Sequence, residues 1–532
     1  MEVVASSALQ NQFLGLYLQD DWKVNRRLTL NLGFRYEIET PVNERYDRLL
    51  ANFDATTPNP INAAAQANYA RNPIAELPVS QFRALGGLTW VNQNGNGRSP
   101  FRGEKNNVMP RVGFAYELTP KTVLRGGYGL FFNTLGVNTI LPLQTGFTQS
   151  TPIQASLDSG LTYRATTANP FPSGLIQPLG PGGGLATNLG QALTTYFRPN
   201  LQGYSQRWSL GVQRVLPAML ALDVSYVGNR GTRLDVEREL NATPNAYLSR
   251  SPVRDQARID YLSQQFPNPF RGTNPIYGAN ITRANLLRPY PHFGNIRQEE
   301  PIGYSWYHSL QVRAERRFAQ GFTFQGAYTW SKLMEAIEFL NVADELPYES
   351  ISSFDRPHRF AASGIWEIPV GRGRRFGGSM AKAADYVVGG WQIGAIVALQ
   401  AGGPMGFGNA IFNGDIKNIA LPASQRDVDR WFNIDAGFNR NANQQLASNV
   451  RQFPLRFSAV SSPGQKSWDF SLIKNFPISE SARIQFRADV YNAWNHTNFN
   501  APNTTPTNTA FGRITGTAGD SRNWQGSLRV IF

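Results

Sequence analysis

Apolar and polar positions alternate strictly along segment after segment of this chain. Residues 28–36 set Leu28, Leu30, Leu32, Phe34 and Tyr36 against Thr29, Asn31, Gly33 and Arg35. Residues 204–213 set Tyr204, Trp208, Leu210 and Val212 against Ser205, Arg207, Ser209 and Gln213. Residues 482–494 set Ile484, Phe486, Ala488, Val490 and Trp494 against Arg483, Gln485, Arg487, Asp489 and Tyr491. The last segment, 522–532, sets Trp524, Gly526, Leu528, Val530 and Phe532 against Asn523, Gln525, Ser527 and Arg529, with Ile531 the exception. A period of two is the signature of a strand with one greasy and one wet face. The same rhythm marks 13–22, 110–118, 122–132, 219–228, 303–318, 320–331, 357–368, 390–400 and 467–475. That makes about thirteen strands, most near the length that crosses a bilayer at a tilt.

The connections sort by length. Lys23–Arg27, Thr119–Lys121, Val215–Ala218, Ala319–Gln320 and Phe476–Ser481 are short, and Pro369–Gly389 is somewhat longer. Their alternates, roughly 38–109, 133–202, 229–302, 332–356, 401–466 and 495–521, are long. Short turns on one side and long loops on the other fit an outer-membrane barrel; a soluble sandwich has no reason to sort its loops. With the short turns on the periplasmic side, Trp306, Trp330, Trp468, Trp494 and Trp524 fall at outer strand ends. Trp366, Trp391 and Phe532 fall at inner ends, which gives two aromatic girdles at headgroup level.

The reading is therefore an all-β transmembrane, antiparallel up-and-down β-barrel, one domain over 1–532, with about 13–14 strands present. Short alternating stretches at 161–165 or 454–459 are candidates for one more. Lipid meets the apolar face. Arg35, Arg207, Arg483, Gln485, Arg487 and Asp489 line the lumen. Parity adds that the first and last strands both run downward, so an upward partner is expected before residue 13. No basic and apolar leader precedes Asp20. Together these predict the C-terminal part of a larger, still incomplete barrel.

Composition narrows the alternatives. Mean hydropathy is −0.35, and no apolar run reaches the ~20 residues of a spanning helix; alternating strands average out in such a window. Aromatics are 12% and Cys is absent, which excludes thiol nucleophiles, disulfides and thiolate metal sites. The net charge of +14 points first to nucleic acid. The basic residues, however, stand singly on polar strand faces, so no nucleic-acid partner is expected. Four histidines make no ligand spacing; His308 lies on the apolar face between Trp306 and Leu310. Gly371–Gly378 lacks the ending and frame of a phosphate loop. Glu335, Glu338, Asp344, Glu345, Glu349 and Asp355 form an acidic stretch, read as a solvated loop face. No catalytic, cofactor or metal site is expected, and none of these patterns indicates an enzyme.

Several phrases resemble a known family. Leu16-Tyr17-Leu18-Gln19-Asp20-Asp21-Trp22 with Leu28–Glu37 is similar to the barrel segment of TonB-dependent receptors. Tyr226–Gly231, Tyr328–Lys332, Asp355–Phe360, Gly389–Gln392 with Gln400–Pro404, and Asn492–Phe499 resemble Oar-like members. The resemblance implies a barrel of about twenty-two strands, a plug inside it and a box that engages the TonB complex. It also implies Trp524, Leu528, Val530 and Phe532 as the C-terminal signal read by the barrel assembly machinery. The expected function is capture of an unidentified extracellular ligand by the long loops for energised passage across the outer membrane. A passive porin-like or adhesion barrel is the first alternative, and a soluble secreted β enzyme acting on polysaccharide the second.

Overall fold

The computed structural model describes residues 1–134, 136, 141–156, 160–197, 199, 202–479 and 482–532. Thirteen long strands run as a meander in one sheet. They are β1 (Phe13–Lys23), β2 (Leu28–Glu39), β3 (Asn107–Thr119), β4 (Thr122–Phe132), β5 (Tyr204–Leu216), β6 (Leu220–Glu239) and β7 (Ile296–Ala319). Then come β8 (Phe322–Ala336), β9 (His358–Glu367), β10 (Trp391–Gln400), β11 (Gln465–Pro477), β12 (Arg483–Tyr491) and β13 (Asn523–Ile531). Every neighbouring pair is antiparallel and consecutive in sequence. All thirteen alternating segments are strands of this sheet.

The turn chemistry explains the short connections. Between β7 and β8 only Gln320 (φ 55°) and Gly321 (φ 76°) separate the paired Ala319 and Phe322. Two residues at positive φ make a turn whose twist matches the strands it joins. Of the β11–β12 turn, residues 480 and 481 lie outside the described residues. The Pro369–Gly389 connection holds a helix, Lys382–Val388, that the alternation gave no sign of. The 457–461 stretch is a short strand paired with Pro404–Met405, outside the main sheet; Leu161–Tyr163 and the residues after it form no strand.

The sheet's apolar face is not wrapped around a core. Leu18 is 75% exposed, Leu210 52% and Trp524 71%. Total accessible surface is 30384 Å², against about 19,000 Å² for a soluble monomer of this mass. The opposite face is polar and knit together: Asn31 donates to Asp21 at 2.6 Å, and Arg313 meets Glu315 at 2.9 Å. A greasy exterior and a bonded hydrophilic interior reverse the soluble arrangement and fit a wall standing in lipid.

Cores of the ordinary kind lie in the long loops. Strands β6 and β7 continue past two register shifts at Thr232, Leu234 and Val236, with Arg233 at φ 56°. These bulges end the regular segment Leu220–Thr232 and lift the strands out of the apolar band. Above them three long loops share one core, in which Phe82, Phe270, Leu262, Leu286 and Ile296 are fully buried and Tyr69 stacks on Phe82 at 4.1 Å. A second core is built from Phe407, Phe432, Phe438, Phe453, Phe457 and Phe511.

The acidic stretch departs in part from the expected solvated face: Glu335 and Asp355 are buried. Arg456 donates to Glu335 at 3.2 Å, Glu338 at 3.0 Å, the Ser350 hydroxyl at 3.1 Å and the Ile351 carbonyl at 2.8 Å. Asp355 is 2% exposed and accepts the Leu333 amide at 2.6 Å. Of the six acids, Glu338, Glu345 and Glu349 are exposed; Glu335 and Asp355 are buried, and Asp344 accepts from Asn341 and Asn245.

Candidate functional site

Register decides which side chains share a face. Arg35 stands opposite Met109, and Arg207 is level with Gly129 and through it with Arg111. Arg483, Gln485, Arg487 and Asp489 lie opposite Ile531, Arg529, Ser527 and Gln525 on that same polar face. Arg487 Nε sits 2.9 Å from Asp489, whose carboxylate also accepts the Ser471 hydroxyl, while Gln485 donates to Asn475 at 3.0 Å. Arg35 pairs with Glu37. Arg35 and Arg207 stand on β2 and β5 and the other four on β12, so the two groups do not meet. Sequence reasoning missed Phe131, an aromatic on the polar face held between the guanidinium groups of Arg111 (4.6 Å) and Arg207 (5.5 Å).

The tryptophans expected in the girdles fall on or next to the apolar face. Trp330, Trp366, Trp494 and Trp524 are exposed there or just beyond it, and Trp306, Trp391 and Trp468 are partly covered. Trp391 Nε1 donates to the Val387 carbonyl at 3.0 Å near the helix-bearing turn. Leu528 and Val530 share this face with Trp524; Phe532 follows the end of β13 and is 94% exposed.

Where the first loop core meets the lifted strands lies a cavity of about 530 Å³. Phe101, Leu143, Tyr196 and Phe197 form its apolar wall, and Arg233, Asp235, Glu237, Arg297 and Glu299 its charged one. The Tyr196 hydroxyl is fixed by the Leu141 carbonyl at 2.7 Å and the Leu143 amide, and burial pushes its pKa up to about 12. It therefore stays neutral at physiological pH, with its one hydrogen committed to Leu141. Arg233 is tied to Glu104 at 2.8 Å, and Arg297 reaches Glu237 at 3.7 Å. Glu237 and Glu299 stand directly opposite each other, an unfavourable cross-strand pairing. Burial first, then the Asp235 and Glu237 carboxylates, raises the pKa of Glu299; burial raises that of Asp235. No alternation announces this site, because its residues come from loops 100, 60 and more positions apart.

Among the described residues no group of three or more His, Cys, Asp or Glu side chains is placed to hold a metal. No helix there is long and apolar enough to cross a membrane.

Strand count, exterior grease and bonded interior define an outer-membrane barrel wall. The chain belongs to the outer membrane beta-barrel domain family, which matches residues 2–525, and this places it in the bacterial outer membrane. No curated protein matches it. Among solved structures it is similar to the pyoverdine outer membrane receptor FpvA from Pseudomonas aeruginosa PAO1, at 11% identity and TM-score 0.42, over 99% of this chain and 43% of that one. It is similar to the ferric-catecholate import receptor Fiu from K12 E. coli at 9% identity and TM-score 0.41, over 99% and 45%. It is similar to the outer membrane transporter YddB from Escherichia coli at 10% identity and TM-score 0.42, over 99% and 54%. The chain thus spans about half the length of these proteins or less.

Proposed function

We propose that this chain is the C-terminal barrel portion of a TonB-dependent transporter of the Oar-like type. Its loops capture a ligand outside, and its polar wall lines the route across the outer membrane. The observation that carries the reading is the mixed polar and aromatic cavity held between the folded loops and the extended ends of β6 and β7. Such pockets, with an apolar lining and a few positioned polar groups, are what small-molecule sites require. The edges support the partial-barrel reading. Among the described residues β1 pairs only with β2 and β13 only with β12. Thirteen alternating strands leave β1 and β13 running the same way, so antiparallel closure needs an odd number of further strands.

In this reading a plug and a TonB-binding box upstream supply the energised step, and the barrel assembly machinery reads the β13 terminus through Trp524, Leu528, Val530 and Phe532. The Trp306, Trp330, Trp366, Trp391, Trp468 and Trp494 girdle seats the wall at lipid headgroups. The gene upstream of Met1 tests it: a plug and box joined in frame are expected, and a frame with an export leader but no plug favours a passive channel or adhesion barrel instead. Deleting Phe532 should reduce the heat-modifiable, membrane-assembled form; full assembly without it removes the terminal signal from the proposal.

A further inference from the structure

Register lines up an unusual set of side chains on the lipid-facing surface of β4 to β8. One cross-strand row reads Tyr128, Trp208, Gly228, His308, Lys332. The next reads Leu130, Gln206, Arg230, Trp306, Met334. Arg230, His308 and Lys332 are all exposed, and neither row contains a carboxylate. Among the described residues neither Arg230 nor Lys332 has an ion-pair partner. Glu349, in the loop after β8, accepts from the Tyr304 hydroxyl at 2.5 Å.

The height of the patch follows from strand geometry. Arg230 is ten residues beyond Leu220 and Lys332 ten beyond Phe322, both at the short-turn end. Ten residues rise roughly 33 Å along a strand, or roughly 25 Å across a bilayer at a barrel's tilt. That is the full height of an apolar band, so the three groups sit at the outer headgroup boundary. Neighbouring strands are about 4.8 Å apart, which puts the Arg230 and Lys332 backbones about 12 Å apart with His308 between them. Two long side chains can reach one anion across that gap.

The histidine is oriented for it. Trp208 Nε1 donates to the Tyr226 hydroxyl oxygen at 3.4 Å, and that oxygen lies 2.6 Å from His308 Nδ1. The Tyr226 hydroxyl thus bridges Trp208 Nε1 and His308 Nδ1. With Nδ1 engaged, His308 Nε2 is the ring nitrogen that faces away from the pair. The Tyr226 and His308 rings stack at 15°, which fixes the direction. Guanidinium, ammonium and imidazole thus share one small, carboxylate-free area of the surface, at the boundary where anionic headgroups lie.

We propose that Arg230, His308 and Lys332 form a site for a phosphate-bearing lipid headgroup of the outer leaflet, with Trp208 and Tyr226 as positioning residues. Charge complementarity selects the occupant: an anionic phosphate supplies acceptors, and its acyl chains lie along the apolar face below.

The test uses the full chain refolded in neutral detergent, with diphosphoryl lipid A as probe, retention read by native mass spectrometry, and fold read by heat-modifiable mobility. The Arg230→Gln/Lys332→Gln double variant should bind at least about tenfold more weakly. The charge-matched pair Arg271→Gln/Lys417→Gln, in the loops, should leave binding unchanged. Trp208→Phe should weaken binding while keeping every charge. Unaltered binding in the folded double variant overturns the site, as does displacement of the lipid by inorganic phosphate at equal concentration. If the double variant fails to fold, Lys332→Gln alone decides: a several-fold loss supports the site, and none overturns it.

Discussion

Facing is the property that matters most for single residues. Phe486 is 37% exposed on the apolar side, while its neighbour Gln485 bonds to Asn475 across the polar face. Phe486→Arg should destabilise the barrel by roughly 2–4 kcal/mol, and Gln485→Ala by far less; equal midpoints in urea titrations of liposome-refolded protein would contradict the facing. His292 lies in the first loop core, fully buried between Phe270 and Phe293. Neither ring nitrogen has a hydrogen-bond partner among the described residues. Burial lowers its pKa from 6.5 to about 4; the Gly86 backbone opposes this weakly without meeting bonding geometry. The unfolded loop binds a proton near pH 6.5 and the folded one only near 4, so stability falls as pH drops through that window. The loss should reach about 3 kcal/mol. Thermal melts of the loop core at pH 7.5 and 4.5 should differ in wild type and converge in His292→Leu. The alternation could not mark His292, because nothing about its neighbours is periodic.

At the scale of elements, strands were legible and loops were not. Each of the thirteen alternating segments is a strand, since the period of two is imposed by the pleat itself. Their ends were misjudged: β6 runs to Glu239 and β7 starts at Ile296, beyond the expected 228 and 303. Past the bulges both faces contact loops, so the alternation fades although the pairing continues. The acidic stretch departed in part for a related reason. Its Glu335 and Glu338 carboxylates find Arg456 more than a hundred residues away, and sequence offers no period that links them. Arg456→Gln should leave Glu335 buried without a cation and destabilise the loop assembly by on the order of 3 kcal/mol. Limited proteolysis within 337–357 is the measurement; unchanged cleavage would show that these contacts are dispensable.

For the molecule as a whole, the exposed apolar face sets the solvent. Extraction should require detergent, and the folded protein should run anomalously on gels until boiled; a freely soluble monomer is incompatible with the observed exposure. The two edges left unpaired among the described residues, β1 and β13, make this sheet prone to pairing with other strands. Supplying the proposed upstream strands in the same polypeptide should suppress aggregation during refolding, read by light scattering.

The chain's own alternation determined strand number, order, facing and the side on which long loops lie. Each of those follows from neighbours in sequence, through the pleat and the hairpin turn. Only the tertiary structure decided that the loops fold around cores of their own, that Glu335 and Asp355 are buried, and that Trp208, Tyr226 and His308 join into one hydrogen-bonded chain. Those contacts join residues 18 to more than 100 positions apart. Register shifts and loop packing select them, and no local pattern encodes either.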